Sequence, residues 1–172
     1  MDISIVIPVY NSETILSKLV KEIENSLAGK NLKIELLFIN DFSKDGSWVI
    51  ITKLAKEKSY IRGINLDDNY GQHNAISAGL TYARGENIIL MDDDLQHDPI
   101  YIIKIFDELN KGFDSCYVKY LKRKHKFIKR TLSFLNHIIS SYLSTKSFKI
   151  YTSSFKGFKK HISKKIIEDK EP

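Results

Sequence analysis

Two spacings of apolar residues alternate along the first two thirds of the chain. Residues 3–9 form an apolar run closed by Pro8 and Asn11, the pattern of a strand buried on both faces. Leu16, Leu19, Val20, Ile23 and Leu27 then recur at helical spacing, and Gly29 supplies a stop. Residues 34–39 repeat the buried-strand pattern, and a polar stretch rich in turn formers, residues 40–47, follows. Residues 48–58 predict a short helix and residues 60–66 a third strand. Residues 71–83 predict a helix with Ile76, Leu80 and Ala83 facing inward. Residues 87–91 predict a fourth strand that runs into an acidic cluster. Pro99 opens a further helix in the first-turn position that proline favours, and residues 115–118 predict a fifth strand.

This order predicts an α/β protein with a mostly parallel sheet and helices on both faces. Sheets of that kind bind ligands outside the carboxyl ends of their strands. Three polar segments collect there: Tyr10-Asn11-Ser12-Glu13, Asn40-Asp41 and Asp92-Asp93-Asp94. Beyond residue 118 the pattern changes. Lys119, Lys122, Arg123, Lys124, Lys126, Lys129 and Arg130 precede an amphipathic repeat that includes Ile128, Leu132, Leu135, Ile139 and Leu143. This predicts a basic amphipathic helix. It suits an anionic membrane surface, and it equally suits packing on the core with a solvated charged edge. The chain divides accordingly into a core, residues 1–118, and a basic segment of the same domain, residues 119–172.

Charge sharpens that division. The net charge of the 172 residues is +6. Residues 1–110 hold 11 basic and 17 acidic side chains, a net of −6, and residues 111–172 hold 16 and 4, a net of +12. An acidic front and a basic tail point to a cation in front and an anionic partner behind. No binding module for nucleic acid is recognisable in the tail, so none is expected as partner. The single cysteine, Cys116, cannot form an internal disulfide and lies in an apolar stretch, which predicts a structural thiol and a reducing, cytoplasmic location. No apolar run approaches the roughly 20 residues of a membrane span, and the first residues lack the basic and small-residue signals of an export peptide.

The acidic cluster carries the chemistry. In a continuing strand, Asp92 and Asp94 would point one way and Asp93 the other. Two carboxylates so spaced, with Gln96 beyond, suit a hard cation such as Mg²⁺ or Mn²⁺. The bland alternative is a solvated acidic turn with Asp98 capping the next helix; the position directly after an apolar strand favours the cation. A calcium loop is excluded, because His97 stands where its turn glycine belongs and Ile103 where its last glutamate belongs. The glycine-rich loops of triphosphate- and dinucleotide-binding folds are absent. A nucleotide would therefore be held by metal and strand-end groups.

Four segments in order carry a resemblance: residues 4–11 (SIVIPVYN), 39–47 (INDFSKDGS), 69–75 (NYGQHNA) and 91–99 (MDDDLQHDP). Together they resemble the family 2 glycosyltransferases of the GT-A, Rossmann-like fold, in particular those that act on polyprenyl phosphates. The resemblance implies that Pro8, Tyr10 and Glu13 line a base and ribose pocket, and that Asp41 contacts the nucleobase. It implies that Asp92 and Asp93 lie at the nucleotide, and that Asp92, Asp94 and Gln96 hold Mg²⁺ or Mn²⁺ with Asp94 the main ligand. It further implies inversion at the anomeric carbon in one displacement. A later segment, Ser154-Phe155-Lys156, places Lys156 where the family carries an arginine; a lysine lacks the planar fork and grips a diphosphate less specifically. Asp94 and Lys156 are thus the candidate catalytic residues. Other departures are Asn40 for the first acid of a paired-acid loop, Asp68 for a basic residue, and Tyr120 for an arginine.

The function expected is metal-dependent sugar transfer from a nucleoside diphosphate sugar to a polyprenyl phosphate, by an enzyme lying peripherally on the inner face of the cell membrane. An anionic phosphate acceptor needs no general base, and no acidic residue occurs between Asp114 and Glu168 to serve as one. Two alternatives remain open: transfer to a saccharide hydroxyl in surface-polysaccharide synthesis, and a non-catalytic nucleotide-sugar-binding module. A phospho-receiver domain fits poorly, since the first strand ends without a carboxylate.

Overall fold

A computed structural model describes residues 1–118 and 154–168. The elements in chain order are β1 (Ile3–Val9), α1 (Leu16–Leu27), β2 (Ile34–Asn40), α2 (Ser47–Glu57), β3 (Ile61–Asn65), α3 (Gln72–Tyr82), β4 (Asn87–Leu90), α4 (Ile100–Asn110), β5 (Ser115–Tyr117), β6 (Lys156–Lys159) and α5 (Lys160–Glu168). They build one six-stranded sheet in the order β3-β2-β1-β4-β6-β5. β1, β2, β3 and β4 pair in parallel, while β6 runs antiparallel to both β4 and β5. The mostly parallel α/β sheet expected from the sequence is therefore present, as are the five strands read from the pattern.

Alternation along the strands divides the core into two layers. Ile3, Ile5, Ile7 and Val9 of β1 face one side, where Leu16, Leu19, Val20 and Ile23 of α1, Ile51 of α2 and Ile102, Ile105 and Leu109 of α4 cover them. Val6, Leu37, Ile39, Ile88 and Leu90 face the other, covered by Ala75, Ile76 and Leu80 of α3 and Ile162 and Ile166 of α5. Burial on both faces explains why these strands read as apolar runs and not as alternating ones. Two glycines permit close helix–sheet contact. A Cβ at Gly79 of α3 would lie 2.3 Å from Val6 Cγ1, and one at Gly157 of β6 would lie 2.3 Å from Ile105 Cγ2.

Three details differ from the sequence reading. β4 stops at Leu90, so the acidic cluster lies in a turn and strand alternation does not govern it. Pro99 precedes the first helical residue, Ile100, whose N–H is capped by Asp98 Oδ1 at 3.0 Å. β6 was not anticipated: Lys-Gly-Phe-Lys has one large apolar residue and no strand pattern. The predicted basic amphipathic helix, with Lys119, Tyr120, Lys122 and Arg123 before it, lies outside the described residues. No helix among the described residues is long and apolar enough to cross a membrane.

Candidate functional site

The carboxyl ends of β1, β2 and β4 converge on one edge of the sheet, as their parallel register requires. Each is followed by a loop containing a non-glycine residue in the left-handed region: Asn11 (φ 55), Phe42 (φ 56) and Leu95 (φ 57). Among the described residues these three are the only ones of their kind. For a branched or aromatic side chain that conformation costs about 1–2 kcal/mol, and its concentration at one sheet edge marks a place where the surroundings dictate the backbone.

The loops after β1 and β2 are tied together residue by residue. Asn11 N donates to Ser43 Oγ at 3.0 Å, and Lys44 N to Asn11 Oδ1 at 2.8 Å. Ser12 N donates to Ser47 Oγ at 2.8 Å, and Glu13 N to Asp45 Oδ2 at 3.0 Å. Glu13 Oε2 accepts the Gly46 N–H. Glu13, expected at the ribose, is thus also a brace between the two loops. Pro8 is buried and Tyr10 is half exposed at the mouth. Asp41 is buried at 3% exposure, and its Oδ1 accepts the Tyr70 N–H at 2.9 Å from the loop before α3.

The acidic turn sits between these loops and the α3/β6 side. Asp92 accepts a hydrogen bond from Gln72 Nε2 at 3.0 Å and another from Ser154 Oγ. His97 Nε2 lies 2.9 Å from Ser154 Oγ and 3.4 Å from Asp92 Oδ2. Burial works against the Asp92 carboxylate, but the bonds from His97, Ser154 and Gln72 outweigh it and hold the group below the usual carboxylate range. Asp93 points the other way and accepts the Ser12 hydroxyl. Burial, with repulsion from Asp92 and Asp94, pushes its carboxyl up to about 6 despite that bond. Asp94 is exposed; its Oδ1 accepts the Gln96 N–H at 3.0 Å.

Lys156 begins β6 opposite Leu90 and Tyr117, and is 7% exposed. Burial pushes its ammonium down to about 8, with the Asp92 charge opposing the shift. Cys116, half buried on β5, has its thiol pushed up by burial, which fits a structural role.

Whether the turn suits a metal can be judged from its donors. Among the described residues, no three His, Cys, Asp or Glu side chains converge as a closed metal cage demands. Mg²⁺ and Mn²⁺ do not need one: such ions take one or two carboxylates and complete their shell with water and substrate phosphate. Asp94 and the nearby Gln96 amide, both exposed, supply hard oxygen donors of that kind, with Asp92 half buried beside them. Three consecutive carboxylates crowded into one turn leave negative charge that a cation would offset. The residues fit the group.

The profile of the glycosyl transferase family 2 matches residues 4–167. The chain belongs to this family. An undecaprenyl-phosphate 4-deoxy-4-formamido-L-arabinose transferase of Shewanella sediminis is 34% identical over 167 residues, 96% of this chain and 50% of the relative. A Klebsiella pneumoniae protein of the same name is 30% identical over 161 residues, 93% of this chain and 49% of its own. The chain spans about half the length of the curated relatives it matches. Its fold is that of the GT-A glycosyltransferases. S. aureus TarS 1–349 in complex with UDP superposes with a TM-score of 0.68 at 21% identity, covering 96% of this chain and 49% of TarS.

The sequence drew attention to Asp41, Asp92, Asp93, Asp94 and Lys156, and the structure places all of them at this one edge of the sheet or on the strand beside it. Ser12, Gln72 and His97 received no role beforehand. They lie inside or next to the four segments, but their partners are 81, 20 and 57 residues away in the chain, a separation no local pattern reveals.

Proposed function

We propose that this chain is the donor-binding core of a glycosyltransferase that moves a sugar from a nucleoside diphosphate sugar to a polyprenyl phosphate. The observation that carries the reading is the convergence of Asp41, the acidic turn and buried Lys156 at the strand ends of a family 2 fold. Asp41, Tyr10 and Pro8 take the nucleoside, Glu13 bracing the loops around it and approaching the ribose. Asp92, Asp94 and Gln96 hold the diphosphate side through Mg²⁺ or Mn²⁺, with Asp93 beside them. A bound divalent ion would neutralise charge developing on the departing diphosphate. Lys156 adds a fixed positive charge, and the low polarity around it strengthens its pull on that oxygen.

In one in-line step an acceptor phosphate oxygen forms its bond to the anomeric carbon while the bond to the diphosphate oxygen breaks, which inverts the centre. The acceptor is already anionic, so no side chain has to remove a proton. The acceptor class is supported by the relatives at 34% and 30% identity, whose names specify undecaprenyl phosphate. A metal-bound donor is supported by the fold neighbour from Pyrobaculum calidifontis, a mannosyltransferase described with GDP-Man and Mn²⁺, at a TM-score of 0.67. Residues 119–143 are assigned to the acceptor side, at an anionic membrane surface.

Incubation with labelled nucleotide-sugars, Mn²⁺ and undecaprenyl phosphate tests this. Labelled lipid is the expected product, and its loss in Lys156→Met is expected with it. Donor turnover only on saccharide acceptors would replace the lipid acceptor with a sugar hydroxyl. Nucleotide-sugar binding with no turnover on either acceptor would mark a binding module.

A further inference from the structure

The donor reading gives Ser12 no contact with substrate, yet Ser12 is held from two sides. Its N–H donates to Ser47 Oγ at 2.8 Å, and Ser47 is fully buried at the start of α2 with its own N–H on Asp45 Oδ1 at 3.0 Å. The Ser12 hydroxyl has one proton and two acceptors in reach: the Asp93 carboxylate and the Tyr10 carbonyl, the latter at 3.3 Å. The shorter, charge-assisted bond to Asp93 takes it.

This bond has a distinctive place in the site. Asn11, Ser12 and Glu13 lock the β1 loop to the β2 loop through five hydrogen bonds, so the two loops form one block carrying Tyr10 and Asp41. The acidic turn is a separate block. The backbone ties it to β1 as far as Met91, whose N–H donates to Val6 O at 3.1 Å. Beyond Met91 its side-chain links run to α3 through Asp92, to the β6 approach through Asp92 and His97, and to the loop block through Asp93. Leu95, held at φ 57, shows that the turn is kept in a conformation its own residues disfavour.

We propose that the Ser12–Asp93 hydrogen bond is a positioning link that sets the spacing between the nucleoside block and the diphosphate block. Ser12 and Asp93 then act on a nucleoside diphosphate through the turn they align, and not by touching it. This rests on the donor reading above. A bond that only stabilised the fold would weaken every ligand alike or none. A spacing link weakens the ligand that spans both blocks and spares the one that occupies a single block.

Uridine and guanosine, titrated by NMR, report the nucleoside block alone; UDP and GDP with Mn²⁺, titrated by calorimetry, report both. Ser12→Ala should weaken whichever diphosphate the wild type binds by at least about fivefold, the scale of a lost hydrogen bond to a charged group. The matching nucleoside should stay within about twofold of wild type, a change smaller than such a bond contributes. Ser12→Thr keeps the hydroxyl and should bind as wild type. Asp93→Asn keeps an oxygen acceptor and should bind within the same margin, whereas Asp93→Ala should match Ser12→Ala; this pair decides the matter should Ser12→Ala fold poorly. Unchanged diphosphate binding in Ser12→Ala and Asp93→Ala overturns the proposal while leaving the donor site intact, as does equal weakening of nucleoside and diphosphate. Absence of metal-dependent diphosphate binding in the wild type overturns the donor reading itself, and the positioning link with it.

Discussion

Replacing Glu35 by glutamine should destabilise the fold by more than its near-identical shape suggests. Glu35 is 1% exposed at the start of β2. One carboxylate oxygen accepts Ser4 Oγ at 2.6 Å and Arg84 N at 3.1 Å; the other accepts the Arg62 guanidinium. The Ser4 oxygen meanwhile accepts Gly85 N at 2.7 Å, so its proton is committed to Glu35. All groups around the carboxylate are donors. A glutamine would present its NH₂ either to Arg62 or to Ser4 and Arg84, and neither orientation satisfies the site. Breaking a fully buried pair costs about 3–5 kcal/mol. The Arg62 side chain is 28% exposed and can turn toward water, which reduces the expected loss to about 2–3 kcal/mol. At about 2–4 °C per kcal/mol for a domain of this size, the melting temperature should fall by roughly 4–12 °C.

The acid limb adds an independent readout. Burial alone would raise the Glu35 carboxyl, but bonds from Ser4, Arg62 and Arg84 N hold it below the usual carboxylate range. Its contribution is complete above the pKa of an unfolded glutamate and is lost as pH falls through the lower folded value. Urea unfolding between pH 3 and 7 should therefore show a steeper acid decline for wild type than for Glu35→Gln. Arg62→Met in the Glu35→Gln background should cost less than Arg62→Met alone. A variant within about 0.5 kcal/mol of wild type, the range of an ordinary surface change, with the same acid limb would refute this account of the network.

Two further outcomes follow from the packing and the buried charge. Gly157→Ala puts a methyl 2.3 Å from Ile105 Cγ2 and 3.3 Å from Leu109 Cδ1; overpacking should cost about 1–3 kcal/mol in denaturant unfolding, and the same change should cost less in an Ile105→Ala background, which removes Cγ2. Lys156→Met should stabilise the fold at pH 7 while weakening UDP or GDP binding. Depression of the ammonium from 10.5 to about 8 corresponds to roughly 3 kcal/mol of burial cost. Wild-type stability should rise between about pH 8 and 10.5 as this lysine deprotonates, and Lys156→Met should lack that rise.

The fold was legible where a single local pattern decided it. β1 and β2 are apolar because both their faces are covered, and the α1 stripe from Leu16 to Leu27 is buried at every predicted position. β6 escaped because its pairing partners, Leu90 and Tyr117, and not its own residues, make it a strand. The acidic turn was visible as a cluster with Asp93 set apart from its neighbours, but not the partners those side chains reach. Asp92 turns to Gln72 and Ser154, Asp93 to Ser12, and Asp94 to solvent, each by a contact distant in sequence or by a backbone bend at Leu95.

Calorimetric titration of UDP and GDP with and without Mn²⁺, in wild type and Asp94→Ala, tests the central claim most directly. One of the two nucleotides should bind wild type with Mn²⁺ and bind much more weakly without it, and Asp94→Ala should lose the metal-dependent part while its melting temperature stays near wild type. Metal-independent binding, or binding unchanged in Asp94→Ala, would contradict the assignment of the acidic turn to the diphosphate.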